Sequence, residues 1–419
     1  MSRPTVAVVG AGVAGLTAAY LLQRQFDVTL FEAEPRLGGH AHTHEILSPD
    51  GRVLPIDSGF IVCNDRTYPH LLRLFDELGV ETQPTEMSFS VRCDGCGLEY
   101  AGARGLGGLF ADARRSTSPT FVRMLVEVKK LHRRARRLLD AHDDTMTLGE
   151  FLTRGRFSPY FEQHLMVPLV SCVWSCAPRT ALEYPAQYLF QFLDHHGMLS
   201  VNGTPQWRTV VGGSRTYVER AAKELTATET SAPVTSVRRI ADGIEIRSDA
   251  GTRWRFDRAV VATHADHALG ILVQPSDAER SVLGAFEYST SDTVLHTDAS
   301  LLPRRPRARA SWNYLLDDCS NDVSHVQVSY HMNRLQRLDA PLDYVVTLNG
   351  SSRLREDSVL ARMSYAHPIY TPTSVAAQAR LSELNDGRIA FAGAYQGWGF
   401  HEDGCASGVR AAASLGVTW

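Results

Sequence analysis

The sequence predicts an α/β protein in which a mixed α+β domain is inserted into a doubly wound nucleotide-binding domain. Three observations carry that prediction. Val6 to Val9 is a short, β-branched apolar run that ends in Gly10-Ala-Gly12-Val-Ala-Gly15. A helical pattern from Leu16 to Arg24 and a second buried strand, Val28 to Phe31, follow it and close at Glu32, completing a βαβ unit within roughly 30 residues. Near the other end, Ile389-Ala-Phe391-Ala runs into Gly393 and a closing helix to about Leu415, the same order of strand, glycine and helix. The chain has 419 residues, too many for one ordinary core, so two joined domains are expected.

The first turn is the most informative element. Gly10 permits a tight turn off the strand, Gly12 lets the backbone approach a pyrophosphate, and Gly15 lets helix and strand pack closely. Val13 and Ala14 open the helix, whose free N–H groups and dipole favour an anion. Glu32 stands where a carboxylate accepts ribose hydroxyls, which disfavours a 2′-phosphate. After it come Ala33, Arg36 and a second glycine pair, Gly38-Gly39, followed by His40, His42 and Thr43. A dehydrogenase has no need of that second pair. It suits a chain that continues to follow a pyrophosphate, and so points to FAD.

Farther along, residues 64–83 read as a helix stopped by Gly79, residues 102–118 as loop, and residues 119–142 as a strongly basic helix. Residues 147–199 carry helical patterns broken at Pro159, Pro168, Pro178 and Pro185, with many bulky aromatic groups. From Val234 the period changes to two, with a turn at Asp249-Ala-Gly251, and Ala259 to Ala262 is again a buried strand. Residues 293–350 read as antiparallel strands. The expected division is 1–62, 203–265 and 384–419 for the cofactor domain, with 63–202 and 266–383 for the substrate domain.

These motifs resemble the flavin amine-oxidase superfamily, which reads E-x-x-x-R-x-G-G-R after the second strand. Here Glu32, Arg36, Gly38 and Gly39 match, and His40 replaces the second arginine. Gly212-Gly213 and Tyr217 to Leu225 resemble the family's glycine-led helix before the strand at Val234, whose backbone would hold the adenine. Ala262-Thr263 resembles the end of its crossover strand. The tail from Gly393 through Phe400, His401, Glu402 and Asp403 resembles the segment that opens the last helix beside the flavin. The resemblance implies a glutathione-reductase-like Rossmann domain, FAD as cofactor, and Gly59 and Phe60 on the cofactor side. A narrower likeness holds to bacterial FAD-dependent oxidoreductases related to the N-terminal part of plant cyclopropane fatty-acid synthases, which implies a lipid acyl context.

The wider family usually places a lysine near the flavin to support reaction with oxygen. This chain has three lysines, Lys129, Lys130 and Lys223, remote in sequence from the flavin motifs. Dehydrogenation of an apolar, fatty-acyl or lipid-linked substrate is therefore expected. The alternatives are a double-bond isomerase and an FAD-binding partner of a lipid methyltransferase or cyclopropane synthase. His401, Tyr330 and His331 are the candidate acid/base groups. Trp174, Tyr188, Trp207, Tyr395, Trp398 and Phe400 are the candidate pocket walls.

Net charge is −3, which gives no reason to expect nucleic acid. Seven scattered cysteines suggest reduced thiols in a cytosol. Cys93-x-x-Cys96 resembles half a zinc site, but Cys172 and Cys176 are far away with a different spacing, so no metal is expected. No run of 18 apolar residues exists. The basic helix, with Arg133, Arg134, Arg136 and Arg137 beside Leu131, Ala135 and Leu138, is a candidate for peripheral contact with an anionic inner membrane face. Oligomeric state is open.

Overall fold

The computed structural model describes residues 3–102, 104–112, 114, 118–141, 143–199, 204–320 and 326–419. A five-stranded parallel sheet forms the first layer. Its order is Ala227–Glu229, Asp27–Phe31, Thr5–Val9, Arg258–Val261 and Ile389–Phe391. The central strand pairs on both sides, with Ala7 opposite Thr29 and Ala259. Such a strand is buried on both faces, hence its unbroken apolar run. Helices Val13–Leu22, Arg215–Lys223 and His401–Ser414 pack on one face. The antiparallel strands Val234–Ile240, Gly243–Ser248 and Arg253–Phe256 cover the other, bringing Phe256 and Trp254 against Phe31. The sheet thus draws its strands from three distant pieces of the chain. The expected boundary at 202/203 lies outside the described residues.

The second sheet has seven strands in the order Val359–Ile369, Glu287–His296, Val345–Leu348, Val328–His331, Trp312–Leu316, Phe89–Cys93 and Leu98–Gly102. It is antiparallel except where Trp312–Leu316 pairs parallel with Phe89–Cys93. A helical layer between 119 and 195 packs against it through a second apolar core. Pro159 and Pro178 start helices there, as a residue lacking an N–H can.

Three local expectations change. The helix expected over 64–83 is Pro69–Glu77, followed by the edge strand Thr82–Pro84. Pro69 fixes its start, and Gly79 turns the chain with φ at +65°. Within the stretch expected as loop, Gly105–Leu109 forms a short helix. The basic helix is real, Pro119–Ala141, but its apolar face is core: Phe121, Met124, Leu131, Ala135 and Leu138 are buried. Those buried side chains are not free to insert into lipid; of the helix's apolar groups, Val122 and Val126 remain exposed. Among the described residues, no helix is long and apolar enough to cross a membrane.

Candidate functional site

The three glycines of the first turn have distinct jobs. A Cβ on Gly15 would lie 1.8 Å from the Gly10 carbonyl oxygen, so helix and strand touch there through backbone alone. Gly10 has φ +101°, and its Cβ would meet the Ala262 carbonyl at 2.8 Å. At Gly12 a Cβ would meet nothing within 4 Å. The helix behind it has no side-chain cap and no acid in its first turn, leaving the N–H groups of Val13, Ala14 and Gly15 for an anion. Glu32 sits beside this cradle, accepting from the Ala11 N–H at 2.8 Å and the Glu34 N–H at 2.9 Å. Ala262 and Thr263 close its floor, and Val234 packs nearby with Phe31 in the lower core. An uncapped helix end, open space at Gly12 and an acid at the second strand fit a dinucleotide pyrophosphate and ribose.

The Gly38-Gly39 loop returns over the cradle, where a Gly39 Cβ would come within 3.2 Å of the Gly12 Cα. Arg36 braces that loop by donating to the Gly39 carbonyl at 2.8 Å and pairing with Glu34. Next, the Phe60 N–H donates to the His40 carbonyl at 2.7 Å, and Gly59 lies so close beneath that oxygen that a Cβ would sit 2.2 Å from it. Thr43 departs from its expected role. Its hydroxyl donates to buried Asp57 at 2.6 Å and accepts from the Arg215 N–H. Asp57 also receives Ser214 and Gln336, and burial nonetheless raises its pKa to about 6. Thr43 therefore locks the antiparallel strand pair Thr43–Leu47 and Val53–Asp57 to the helix Arg215–Lys223, its hydroxyl spent on protein partners. His42 is tied to the Tyr365 hydroxyl at 3.0 Å and lies against His44.

The opening of the last helix also differs from expectation. Asp403 accepts the Phe400 N–H at 2.9 Å and crowds Gly397, whose Cβ would lie 2.1 Å from it. Burial raises its pKa to about 7. Glu402 points away from the cradle, accepting the His70 and Leu71 N–H groups at 3.0 Å each and facing His70 Nδ1 at 2.7 Å. It caps Pro69–Glu77, whose own cap residue, Tyr68, makes no side-chain bond. Both acids brace protein rather than cofactor. Glu402→Ala should therefore lower stability by about 1–2 kcal/mol, the usual worth of a helix cap, while FAD affinity stays within about twofold. Denaturant melts and FAD titration of the same variant check this. The last helix approaches the first through Gly404 and Gly408, where Cβ atoms would meet Val13 at 2.6 Å and the Ala14 carbonyl at 2.4 Å.

The aromatic residues predicted as pocket walls mostly converge. Trp174 Nε1 donates to the Trp398 carbonyl at 3.0 Å and the Tyr188 hydroxyl to the Gly397 carbonyl at 2.7 Å. Phe192 stacks on Phe400 at 4.9 Å, and Tyr370 lies 5.3 Å from Tyr188. The helical layer thus holds the 397–400 loop by its carbonyls. Trp207 reaches this wall through His196, whose ring it stacks on at 6.0 Å. Tyr395 does not belong to it. The 394–396 turn sends its ring under the parallel sheet against Phe286, in the lower core. Tyr330 faces the helical layer, edge-on to Trp312. Alternation along the strand turns His331 the other way, where its Nε2 pairs with Asp343 at 2.9 Å and its charged neighbours are Arg334 and Arg309, apart from the aromatic wall, although its Nδ1 too is buried without a partner.

A histidine group at the seam of the two sheets gathers around His40, which the sequence marked for the cofactor, and includes His264 and His367, which it did not single out. His40 lies 5.0 Å from Tyr365, 5.4 Å from His367 and 6.4 Å from His264, ring to ring. His40 Nε2 and His367 Nδ1 are buried without a partner, as is Trp398 Nε1. Buried polar atoms are normally paired, so these three mark where a polar group of a bound molecule would sit. Burial, with the neighbouring histidines adding repulsion, holds His40 well below the usual imidazole range and lowers His367 to about 4. His401, predicted as the acid/base, is already engaged. Its ring stacks on Phe60 at 3.7 Å and its Nε2 pairs with the Tyr217 hydroxyl at 2.9 Å. Burial lowers its pKa to about 3.

These depressed values make the fold acid-sensitive. Unfolded imidazoles take up protons below about pH 6.5, whereas the folded groups resist until about pH 3–4. The histidine contribution is therefore full above pH 6.5 and lost as pH falls through that window, offset in part by Asp57 and Asp403, whose raised pKa values favour the folded state on acidification. His401 alone should contribute on the order of 3 kcal/mol of loss by about pH 4. Denaturant midpoints measured from pH 7.5 to 4.5 should fall, and His401→Gln should flatten the decline. A flat wild-type profile would refute this account.

Comparison with known proteins accords with this geometry. The family model for flavin containing amine oxidoreductase matches residues 13–300. The protein named flavin-containing monoamine oxidase AofH in Mycobacterium tuberculosis is 30% identical over 280 residues, covering 64% of this chain and 59% of that protein. Carotenoid phi-ring synthase of Streptomyces griseus is 32% identical over 278 residues, covering 62% and 52%. The chain thus spans between half and three-fifths of the length of these relatives. Cyclohexylamine oxidase from Brevibacterium oxydans shares the fold with a TM-score of 0.69 at 18% identity, over 99% of both chains. A fatty acid isomerase from P. acnes does so with a TM-score of 0.69 at 16% identity, over 97% and 98%. By fold the chain is of the flavin amine-oxidase type. It belongs to the flavin-containing amine oxidoreductase family.

Proposed function

We propose that this chain dehydrogenates an uncharged, apolar substrate, a fatty-acyl or lipid-linked chain, rather than an amine. The observation that carries the reading is the electrostatic character of the wall. Trp174, Tyr188, Phe192, Tyr370, Trp398 and Phe400 face one another, and the adjoining histidines are held neutral. The nearest acid, Asp403, is consumed inside its own loop. An ammonium group would find no carboxylate to compensate its lost hydration. Lys129 and Lys130 lie on the basic helix and Lys223 in the last turn of Arg215–Lys223, away from the seam. The likeness to a carotenoid synthase points the same way.

Bound FAD supplies a two-electron acceptor. Gly10, Gly12, Gly15 and Glu32 would hold its nucleotide half, and the segment from Gly38 to Phe60 with the 397–400 loop its other half. The aromatic wall excludes water and orients an alkyl chain. His40 and His367, each with a free ring nitrogen, are placed to take the proton that leaves with the oxidised bond. Anaerobic mixing with saturated acyl lipids should bleach the flavin stoichiometrically and yield an unsaturated product. Bleaching by primary amines but not by lipids would overturn the proposal. Product without net bleaching would indicate isomerisation instead.

A further inference from the structure

We infer that the chain carries a structural zinc site, distinct from the flavin site, formed by Cys93, Cys96, His164 and Cys319. The four ligand atoms lie within 4.8 Å of one another. They come from three separate elements: the turn after strand Phe89–Cys93, the π-helical turn Glu162–Met166, and the loop after strand Trp312–Leu316. Cys93 and Cys319 are 226 residues apart, and Cys96 and His164 are 68 apart, so chain proximity does not explain the gathering.

The distances suit a tetrahedral ion. Zinc bonds of about 2.3 Å to sulfur and about 2.0 Å to nitrogen place two sulfurs about 3.8 Å apart, and sulfur about 3.5 Å from nitrogen. Here Cys93 Sγ is 3.7 Å from Cys319 Sγ, and Cys96 Sγ is 3.6 Å from His164 Nε2. A disulfide would need its sulfurs about 2.0 Å apart.

The surroundings are arranged as a metal requires. His164 Nδ1 is 3.2 Å from the Tyr160 carbonyl, which fixes the proton there and leaves the Nε2 lone pair facing the sulfurs. Tyr160 stacks on that imidazole at 4.0 Å. The Cys96 and Leu98 N–H groups are directed at the Cys93 and Cys96 sulfurs, which would stabilise thiolates. Gly97 turns the chain with φ +71°, and a Cβ on Gly95 would lie 2.7 Å from the Asp318 Cα, so only glycine there lets the Cys-Asp-Gly-Cys-Gly turn close against the Cys319 loop. Four protein ligands leave no open position, which marks a structural site rather than a catalytic one. It would clamp the edge of the seven-stranded sheet to the helices that lead to Trp174.

The test uses the purified, FAD-loaded full chain, dialysed without added metal. Elemental analysis should give about one zinc per chain, and X-ray absorption should show three sulfur neighbours and one nitrogen. Replacement by Co(II) should give the intense visible bands of a tetrahedral thiolate site. Cys96→Ser and His164→Ala should each lose the zinc, whereas Cys176→Ser, outside the cluster, should keep it. A metal-free chain that takes up neither added Zn(II) nor Co(II) would overturn the proposal. So would a Cys93–Cys319 disulfide found by peptide mapping of protein purified anaerobically. Because these readouts are metal content and spectra, they stand apart from the flavin chemistry.

Discussion

Gly12→Val is expected to abolish FAD retention, weakening affinity at least a hundredfold, while the apoprotein still folds. The reason lies in what surrounds that position. A Cβ on Gly12 meets no protein atom within 4 Å, so the first added carbon needs no backbone to move. The space it fills is where the helix N-terminus presents its free N–H groups. Gly15→Val must behave differently. Its first added atom would lie 1.8 Å from the Gly10 oxygen, and strand and helix would have to part. Backbone contacts of that kind yield the rare losses above about 4 kcal/mol, so little soluble protein should be recovered. Circular dichroism of both apoproteins and flavin absorbance after reconstitution separate the two outcomes. A Gly12→Val protein that is yellow after desalting would remove the cradle from the cofactor site.

The difference between those two glycines was legible in the sequence, because their roles follow from the spacing of one local motif. The same holds for the strands around them: runs such as Val6 to Val9 and Ala259 to Ala262 are apolar on both faces and have no other use than a central parallel strand. What could not be read were side-chain choices made across the fold. Glu402 matches an acid of the family's pattern, yet it spends both oxygens on a helix end 332 residues earlier in the chain. Tyr395 sits between glycines beside the wall residues, and the turn it occupies sends its ring beneath the sheet. His164 carries no signal as a ligand until a π-helical turn swings it toward Cys96. Cys93 and Cys96 did announce half of that cluster. The other half, His164 and Cys319, came from a π-helical turn and a loop whose distance along the chain carries no information about distance in space.

The same reasoning reassigns the proton-handling group, and the expected effect is large. His401 was the natural choice from the sequence because it stands between Phe400 and the final helix. In the structure its ring lies flat on Phe60 with Nε2 bonded to Tyr217, so it has no spare nitrogen on that side to give to a substrate. His264 stacks on Tyr288 and His267 and is not among the residues with a buried unpartnered ring nitrogen. His40 and His367 differ, each keeping a buried ring nitrogen without a partner, and burial, with repulsion from neighbouring histidines added, favours the neutral form a base requires. His367→Ala and His40→Ala should therefore each slow flavin reduction by about 10²–10⁴-fold, the range general bases supply. His401→Gln should cost less than about tenfold. Stopped-flow reduction by the acyl substrate measures all three, and an unchanged flavin absorption spectrum shows that the cofactor stays in place. The pH profile provides a second readout: because both histidines titrate below their usual range, the wild-type rate should stay flat from about pH 8 to 6 and fall only in more acidic solution. If His401→Gln abolishes reduction while His367→Ala and His40→Ala leave it intact, the seam between the sheets is not where the proton goes, and the acid/base role returns to the head of the last helix.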